Sequence, residues 1–332
     1  MKAKFCIPFN GDLALVKEAL SSGQVAEVYY ALPSGRWGAS DHLVPAPGVS
    51  FGAGSVAALG GLCRASGVKT NLLCNSPSLA LTPLAGVFAA ARRLKADSVT
   101  LADPRFLGLF RRALPGVRLH ASVIMNLNSE ERARQALRAG ADTLTLAAEA
   151  NRNLPLLRAA ARLKRNFPGS RIKLVANYCC GYDCVFMNAH YLSGMFRAKT
   201  GVPADAAGGC SFRGGEKFER IKRPFIRPED LGFYEKNGVV DEFKLIARSQ
   251  PSAVLRRIYK AYFSRKFSGD LGELLGGSAG NYGKDEALYI DNSRFPKGFA
   301  SRAARCDKNC AACGYCLKVF ERVSVPRGGR AG

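Results

Sequence analysis

The sequence predicts an α/β fold, a (β/α)8 TIM-like barrel, on three observations. Short apolar runs rich in Val, Ile, Leu, Tyr and Thr recur along most of the chain. Amphipathic helical stretches lie between most of them, and strands alternating with helices imply a parallel sheet. Eight such units within about 250 residues match the size of a closed barrel. An open doubly wound sheet is the other architecture such alternation allows. No GxGxxG follows a strand, so dinucleotide binding gains no support.

The units follow in order. Residues 4–8 form the first strand and 12–21 its helix. The second unit pairs 27–32 with 55–66, the third 69–74 with 84–94, and the fourth 98–101 with 106–114. Residues 118–124 precede a helix over 129–139. That helix is opened by Ser129 with Glu130 and Glu131 behind it, and stopped by Gly140. The sixth unit is 143–147 with 154–166. Residues 172–177 are the seventh strand, after which 178–235 form a long insertion rich in Cys, Gly and basic residues. Residues 242–246 and 253–264 close the alternation. The expected division is a barrel domain over 1–266 and an extension over 267–332 carrying a cysteine cluster.

The chain has 332 residues, of which 47% are hydrophobic, so the disorder signature is absent despite a net charge of +23. That charge favours polyanions or anionic metabolites, but the basic residues occur as scattered pairs, which are weaker evidence for RNA than one stripe. No run of about 18 apolar residues occurs, so no membrane span is expected. The apolar start is broken at Asn10, Gly11 and Asp12, too early for a secretory signal. The expected location is therefore cytoplasmic and reducing. There, 11 cysteines are better suited to metal ligation or core packing than to disulfides.

The sharpest motif is Cys306-x3-Cys310-x2-Cys313-x2-Cys316. Four thiolates this close together can wrap one compact centre. Short spacings suit an iron–sulfur cluster, whose irons are each held by a cysteine. Structural zinc more often uses two pairs separated by a longer loop. The first three cysteines also spell the radical S-adenosylmethionine motif, but no barrel follows them and a fourth cysteine is present. A second group, Cys179, Cys180 and Cys184, starts where the seventh strand ends, and Cys210 returns from the same insertion. That edge is where barrel enzymes place chemistry. A fourth ligand could come from Cys74 at the end of the third strand, with Cys6 and Cys179 as alternatives. Cys63 falls within a helical pattern and reads as core. His190 is a candidate for a hydrogen bond to a cluster sulfur or for action on substrate. Asn126, Glu149, Asn177 and Arg248 fall at or just past strand ends and are candidates to line a pocket.

The stretch 177–190, then Arg223-Pro-Phe-Ile-Arg227-Pro-Glu229-Asp230, then Glu242-Phe-Lys244-Leu-Ile-Ala-Arg248, resembles the peptidase U32 family. Asn151-Arg152-Asn153 also fits, and Tyr289-Ile-Asp291-Asn292 before the four cysteines resembles short U32-like proteins. The resemblance implies a barrel-like fold with one or two 4Fe–4S clusters. It implies oxygen-independent hydroxylation or modification of RNA or a ubiquinone-type precursor, with prephenate as an anionic hydroxyl donor. Arg227 or Arg248 would then pair with a carboxylate, as guanidinium geometry favours. A U32-like partner subunit, and the peptidase activity in the family name, are alternatives. This chain departs from the quinone-pathway pattern. Its second strand is followed by Leu32-Pro33-Ser34-Gly35-Arg36, with no cysteine, and Val185 follows Cys184 where a proline is common.

Overall fold

The structure is a computed structural model that describes residues 2–32, 53–76, 84–189, 191–192, 217–275 and 288–326. Eight parallel strands close into a barrel in chain order: β1 Lys4–Pro8, β2 Val25–Tyr30, β3 Lys69–Cys74, β4 Ser98–Leu101, β5 Arg118–Ala121, β6 Thr143–Thr145, β7 Arg171–Val175 and β8 Glu242–Lys244. β8 pairs back onto β1 through Phe243 opposite Phe5. The ring is covered by α1 Leu13–Ser21, α2 Ala53–Ala65, α3 Leu84–Arg93, α4 Leu107–Ala113, α5 Glu130–Arg138 and α6 Leu154–Leu163. Two short helices, α7 Glu219–Lys222 and α8 Leu231–Lys236, precede β8, and α9 Ser252–Ser264 follows it.

Local chemistry accounts for these boundaries. Asp12, Ser129 and Asn153 each accept a backbone N–H three residues on, at Leu15, Arg132 and Leu156, which caps α1, α5 and α6. Gly140 adopts φ 107 just past α5, the left-handed stop that its place in the sequence predicts. The fifth strand is shorter than the expected 118–124. Ser122 turns its hydroxyl back to accept from Ile124 N at 3.2 Å, and a short 3-10 turn over Val123–Met125 replaces the last strand residues.

Alternation along the strands sorts the barrel into two unlike faces. Outward residues such as Phe5, Val28, Leu72, Cys74, Val99 and Phe243 join one apolar core with the helices. The inward face is polar towards the amino ends of the strands. Lys173 Nζ lies 2.5 Å from Glu27 Oε1 and 3.1 Å from Glu242 Oε2. Glu27 also accepts from the Cys6 thiol and the Ser98 hydroxyl, each at 3.0 Å. The Asn71 amide nitrogen is 3.0 Å from His120 Nδ1. Burial and the nearby Lys173 ammonium push the His120 pKa well down, so the ring is neutral and Nδ1 accepts. One step higher, Cys6, Tyr29 and Leu73 pack together.

The extension over 267–326 shares a core with the insertion after β7. It contributes β9 Leu288–Ile290 paired antiparallel with β10 Ser324–Pro326, then α10 Phe299–Ala303, α11 Cys310–Cys313 and α12 Tyr315–Val323. Phe295, Phe299, Val319 and Val323 from the extension join Cys179, Ile221 and Phe225 in one buried cluster. No helix among the described residues is long and apolar enough to cross a membrane.

Candidate functional site at the barrel mouth

The four tail cysteines are presented by two successive turns. Cys310 and Cys313 stand three apart on α11, and Gly314 then takes φ 58. That left-handed residue lets α12 start at once, with Cys316 in its first turn. Cys306 precedes α11, just after α10. All four side chains line one cavity of about 200 Å³. Cys310 and Cys313 are exposed, while Cys306 and Cys316 are half-buried.

Two guanidinium groups face this cavity. Arg152 Nη1 is 3.7 Å from Cys316 Sγ, and Arg302 Nη2 is 3.6 Å from Cys313 Sγ. Arg152 is buried, with Nη2 donating to the carbonyls of Ile221 and Arg223 and its plane near the Tyr182 and Phe299 rings. Its Nε donates to no described group. Burial pushes the Cys316 thiol up, opposed by Arg152.

The second cysteine group adjoins the first. Lys308, between Cys306 and Cys310, donates to Asp183 Oδ2 at 2.6 Å, tying the tail loop to the turn between Cys180 and Cys184. Cys180 and Cys316 both pack against the shared apolar cluster. A hydrogen bond with Cys179 lowers the Cys180 pKa to about 7. Tyr178 and Arg223 assist, against burial and Glu149. Cys179 is shifted well up by that same bond and by burial.

Glu149 lies in the 3-10 turn Ala148–Arg152 after β6, 8% exposed, and its Oε2 has no hydrogen-bond partner among the described residues. Burial raises its pKa, and Asp183 adds to this. Expected Glu149, Cys180 and Cys184 therefore share the mouth with the tail motif. Arg248 also lies past the end of β8 and acts electrostatically on Tyr29 and Lys244 inside the barrel.

Other expected residues do different work. Cys74 does not reach across the mouth. The strand period puts it on the outer face of β3, fully buried in the helix-covered core, and burial pushes its thiol up. Asn177 donates to the carbonyls of Ile246 and Leu274 and accepts from Ile246 N, so its amide latches β7 to β8 and to the extension. Arg227 pairs with Asp230 at 2.7 Å, donates to Asn292 O and lies 4.5 Å from the centre of the Phe295 ring. These contacts tie Asn177 and Arg227 into the scaffold. Asn126 takes φ 51 at the end of its turn, and its carbonyl accepts from Arg132. His190 and Cys210 lie outside the described residues.

Arg302 and the inward charges of the barrel carried no motif in the sequence. Arg152 stood within a family-like triplet, but nothing there pointed to a sulfur contact. Among the described residues, no three His, Cys, Asp or Glu side chains converge tightly enough for a single metal ion. One ion needs sulfurs about 2.3 Å from a common centre. A cluster sets each thiolate on a different iron, so its cysteines stand farther apart around a larger space. Here four thiols line one cavity, with guanidinium groups against two of the sulfurs.

Residues 47–164 match the family model described as Peptidase family U32. The chain is 28% identical over 241 residues to an uncharacterized protease of Methanocaldococcus jannaschii, covering 71% of this chain and 69% of that protein. It resembles the solved U32 peptidase Mk0906 with a TM-score of 0.53 at 13% identity, over 76% of this chain and 94% of that one. A mutant tryptophan synthase alpha-subunit from Pyrococcus furiosus gives a TM-score of 0.45 at 13% identity, covering 83% of this chain and 98% of that one. The family-model match over residues 47–164 and the curated relative both point to peptidase family U32, and the solved U32 structure shares the fold.

Proposed function

We propose that this chain is an iron–sulfur protein in which Cys306, Cys310, Cys313 and Cys316 hold a 4Fe–4S cluster beside the barrel mouth. The observation that carries the reading is the single cavity of about 200 Å³ lined by all four thiols. Arg152 and Arg302 support it, because cations against Cys316 and Cys313 offset the charge of bound thiolates. When bound, such a group supplies one-electron transfer. The chain's own residues fix the turns, orient the sulfurs and screen part of the site with Tyr315 and Phe218. Cys180 and Cys184, with Cys210, are the candidate ligands of a second cluster.

The activity we propose is oxygen-independent hydroxylation or modification of RNA or a cofactor precursor, with an anionic small molecule such as prephenate as co-substrate. It rests on the resemblance set out from the sequence, and on Glu149, Cys180 and Arg248 lying at the carboxyl ends of the strands. A non-catalytic role beside a U32-like partner subunit uses the same cluster. Pull-down without oxygen, against activity of the isolated chain, separates the two. For peptide cleavage a thiol needs a base in contact. Among the described residues His120 is the histidine present, and it is enclosed by Asn71 and Lys173 in the barrel floor.

The test is purification without oxygen, followed by iron and acid-labile sulfide analysis and electron paramagnetic resonance of the reduced protein. Iron and sulfide in equal amounts, lost on Cys310→Ser or Cys313→Ser, is the expected result. A folded protein carrying zinc alone, or no metal, overturns it.

A further inference from the structure

One buried ammonium inside the barrel has no carboxylate of its own among the described residues. The inward face carries two carboxylates, Glu27 and Glu242, and two lysines, Lys173 and Lys244. Lys173 takes both carboxylates, at 2.5 and 3.1 Å, and Arg171 adds a second contact to Glu242 at 3.1 Å. Lys244 is 7% exposed and has no hydrogen bond or ion pair among the described residues. Its ammonium lies 4.4 Å from the centre of the Tyr29 ring. The Tyr29 hydroxyl donates to Leu245 O at 2.9 Å, which holds the ring beneath it. A cation–π contact offsets part of the cost of burial. A buried ammonium without an anion still carries a desolvation penalty that the ring alone does not offset.

The position of that charge is specific. Lys244 stands opposite Val175, and its carbonyl accepts from Ala176 N at 3.0 Å. It therefore sits at the carboxyl end of the ring, below the turn that carries Asn177, Cys179 and Cys180. Burial disfavours the ammonium most, and Lys173 and Arg248 add to that against the opposing pull of Cys6 and Glu27. Glu27 is the nearby acid, and it is already engaged by Lys173, Cys6 and Ser98.

We infer that Lys244 is the anchor for an oxyanion, a carboxylate or a phosphate, on a small molecule that enters the barrel from its mouth. This names the chemistry of the substrate for the barrel-mouth site proposed above and rests on that placement, though not on the cluster. The anion gives Lys244 the direct counter-charge that Glu27 and Glu242 already give Lys173, and places the rest of the molecule towards Cys180 and Glu149.

Thermal melts of the purified full chain test it, with sodium malonate, sodium phosphate or sodium chloride at matched ionic strength. The expected result is a saturating rise in Tm with malonate, phosphate or both, absent in chloride. Which oxyanion acts identifies the headgroup. Lys244→Met and Lys244→Gln are expected to lose the rise and to melt at or above the anion-free wild type, because an unpaired charge has been removed. An equal rise in chloride, a rise retained in both variants, or failure of both variants to fold overturns the assignment. Iron content is measured in the same preparations. Iron-free protein that shows the rise sinks the cluster reading alone, and loaded protein without the rise sinks the anchor alone.

Discussion

Lys173 is the residue on which the barrel interior turns. It joins Glu27 and Glu242 across the ring, and removing one partner of a buried ionic group leaves the others uncompensated. Lys173→Met is therefore expected to lower unfolding free energy by about 3–5 kcal/mol, read by urea denaturation. Glu27 gives this network a pH signature. Burial raises its carboxyl, but the Lys173 ammonium and the hydrogen bonds from Lys173 and Cys6 outweigh it and hold the group at about 2 against an ordinary 4.5. A depressed carboxyl stabilises the fold in full above the unfolded value. Its contribution should be lost as pH falls from 4.5 towards 2, and Glu27→Gln should flatten that part of the stability–pH curve. The cysteines divide in the same physical way. In metal-free protein, iodoacetamide should label Cys180 half-maximally near pH 7, as its lowered pKa of about 7 requires. Cys63, pushed up to about 12 by burial, should stay unlabelled until the chain unfolds. Peptide mapping by mass spectrometry reads both. The sequence showed these cysteines as a spacing pattern. It did not show which thiols are ionised, because that depends on neighbours such as Tyr178 and Arg223 that only folding assembles.

At the scale of elements, the caps were legible and the docking was not. Ser129 and Gly140 bracket α5 through bonds within a few residues, so local sequence carries them. The end of α3 is a counter-example. Lys95 takes φ 51, with Ala96 N bonded to Ala91 O at 3.0 Å, a left-handed close that favours glycine. Lys95 makes no side-chain bond among the described residues. Lys95→Gly should raise stability by about 1 kcal/mol, seen as a higher denaturation midpoint. The extension docks through aromatic rings. Phe299 stacks on Phe225 at 6.0 Å and meets Phe295 edge-on at 4.9 Å. Phe299→Ala should cost about 3–5 kcal/mol. It should also speed amide exchange in α10 and α12 more than in β1–β4. Uniform loosening across the barrel would show that the extension does not dock as a local unit.

For the whole molecule, the net charge of +23 and the closed barrel have different reach. The charge acts at long range on any polyanion. Binding to homopolymeric RNA should weaken linearly in log–log form as salt rises and should not discriminate between sequences. Fluorescence anisotropy at several salt concentrations measures that slope, and a salt-independent affinity would contradict it.

The sequence by itself determined the strand–helix alternation that a barrel needs and the tail motif, while closure and strand order came from the structure. Strand and helix periods, caps and cysteine spacing are properties of neighbours along the chain. Lys69 to Cys74 and Ser129 to Gly140 could both be placed from a few residues each, whereas the end of the fifth strand, expected at 124, falls at Ala121. Only the tertiary structure decided what faces what. It turned Cys74 outwards, because a period of two gives each strand residue one face. It occupied Asn177 and Arg227 with partners up to 97 positions away, Asn177 with Leu274 among them. It brought Arg152 to Cys316 across 164 positions and left Lys244 without an anion among the described residues. Contacts between residues so far apart leave no periodic trace in the sequence, and the chain records them only by closing the ring.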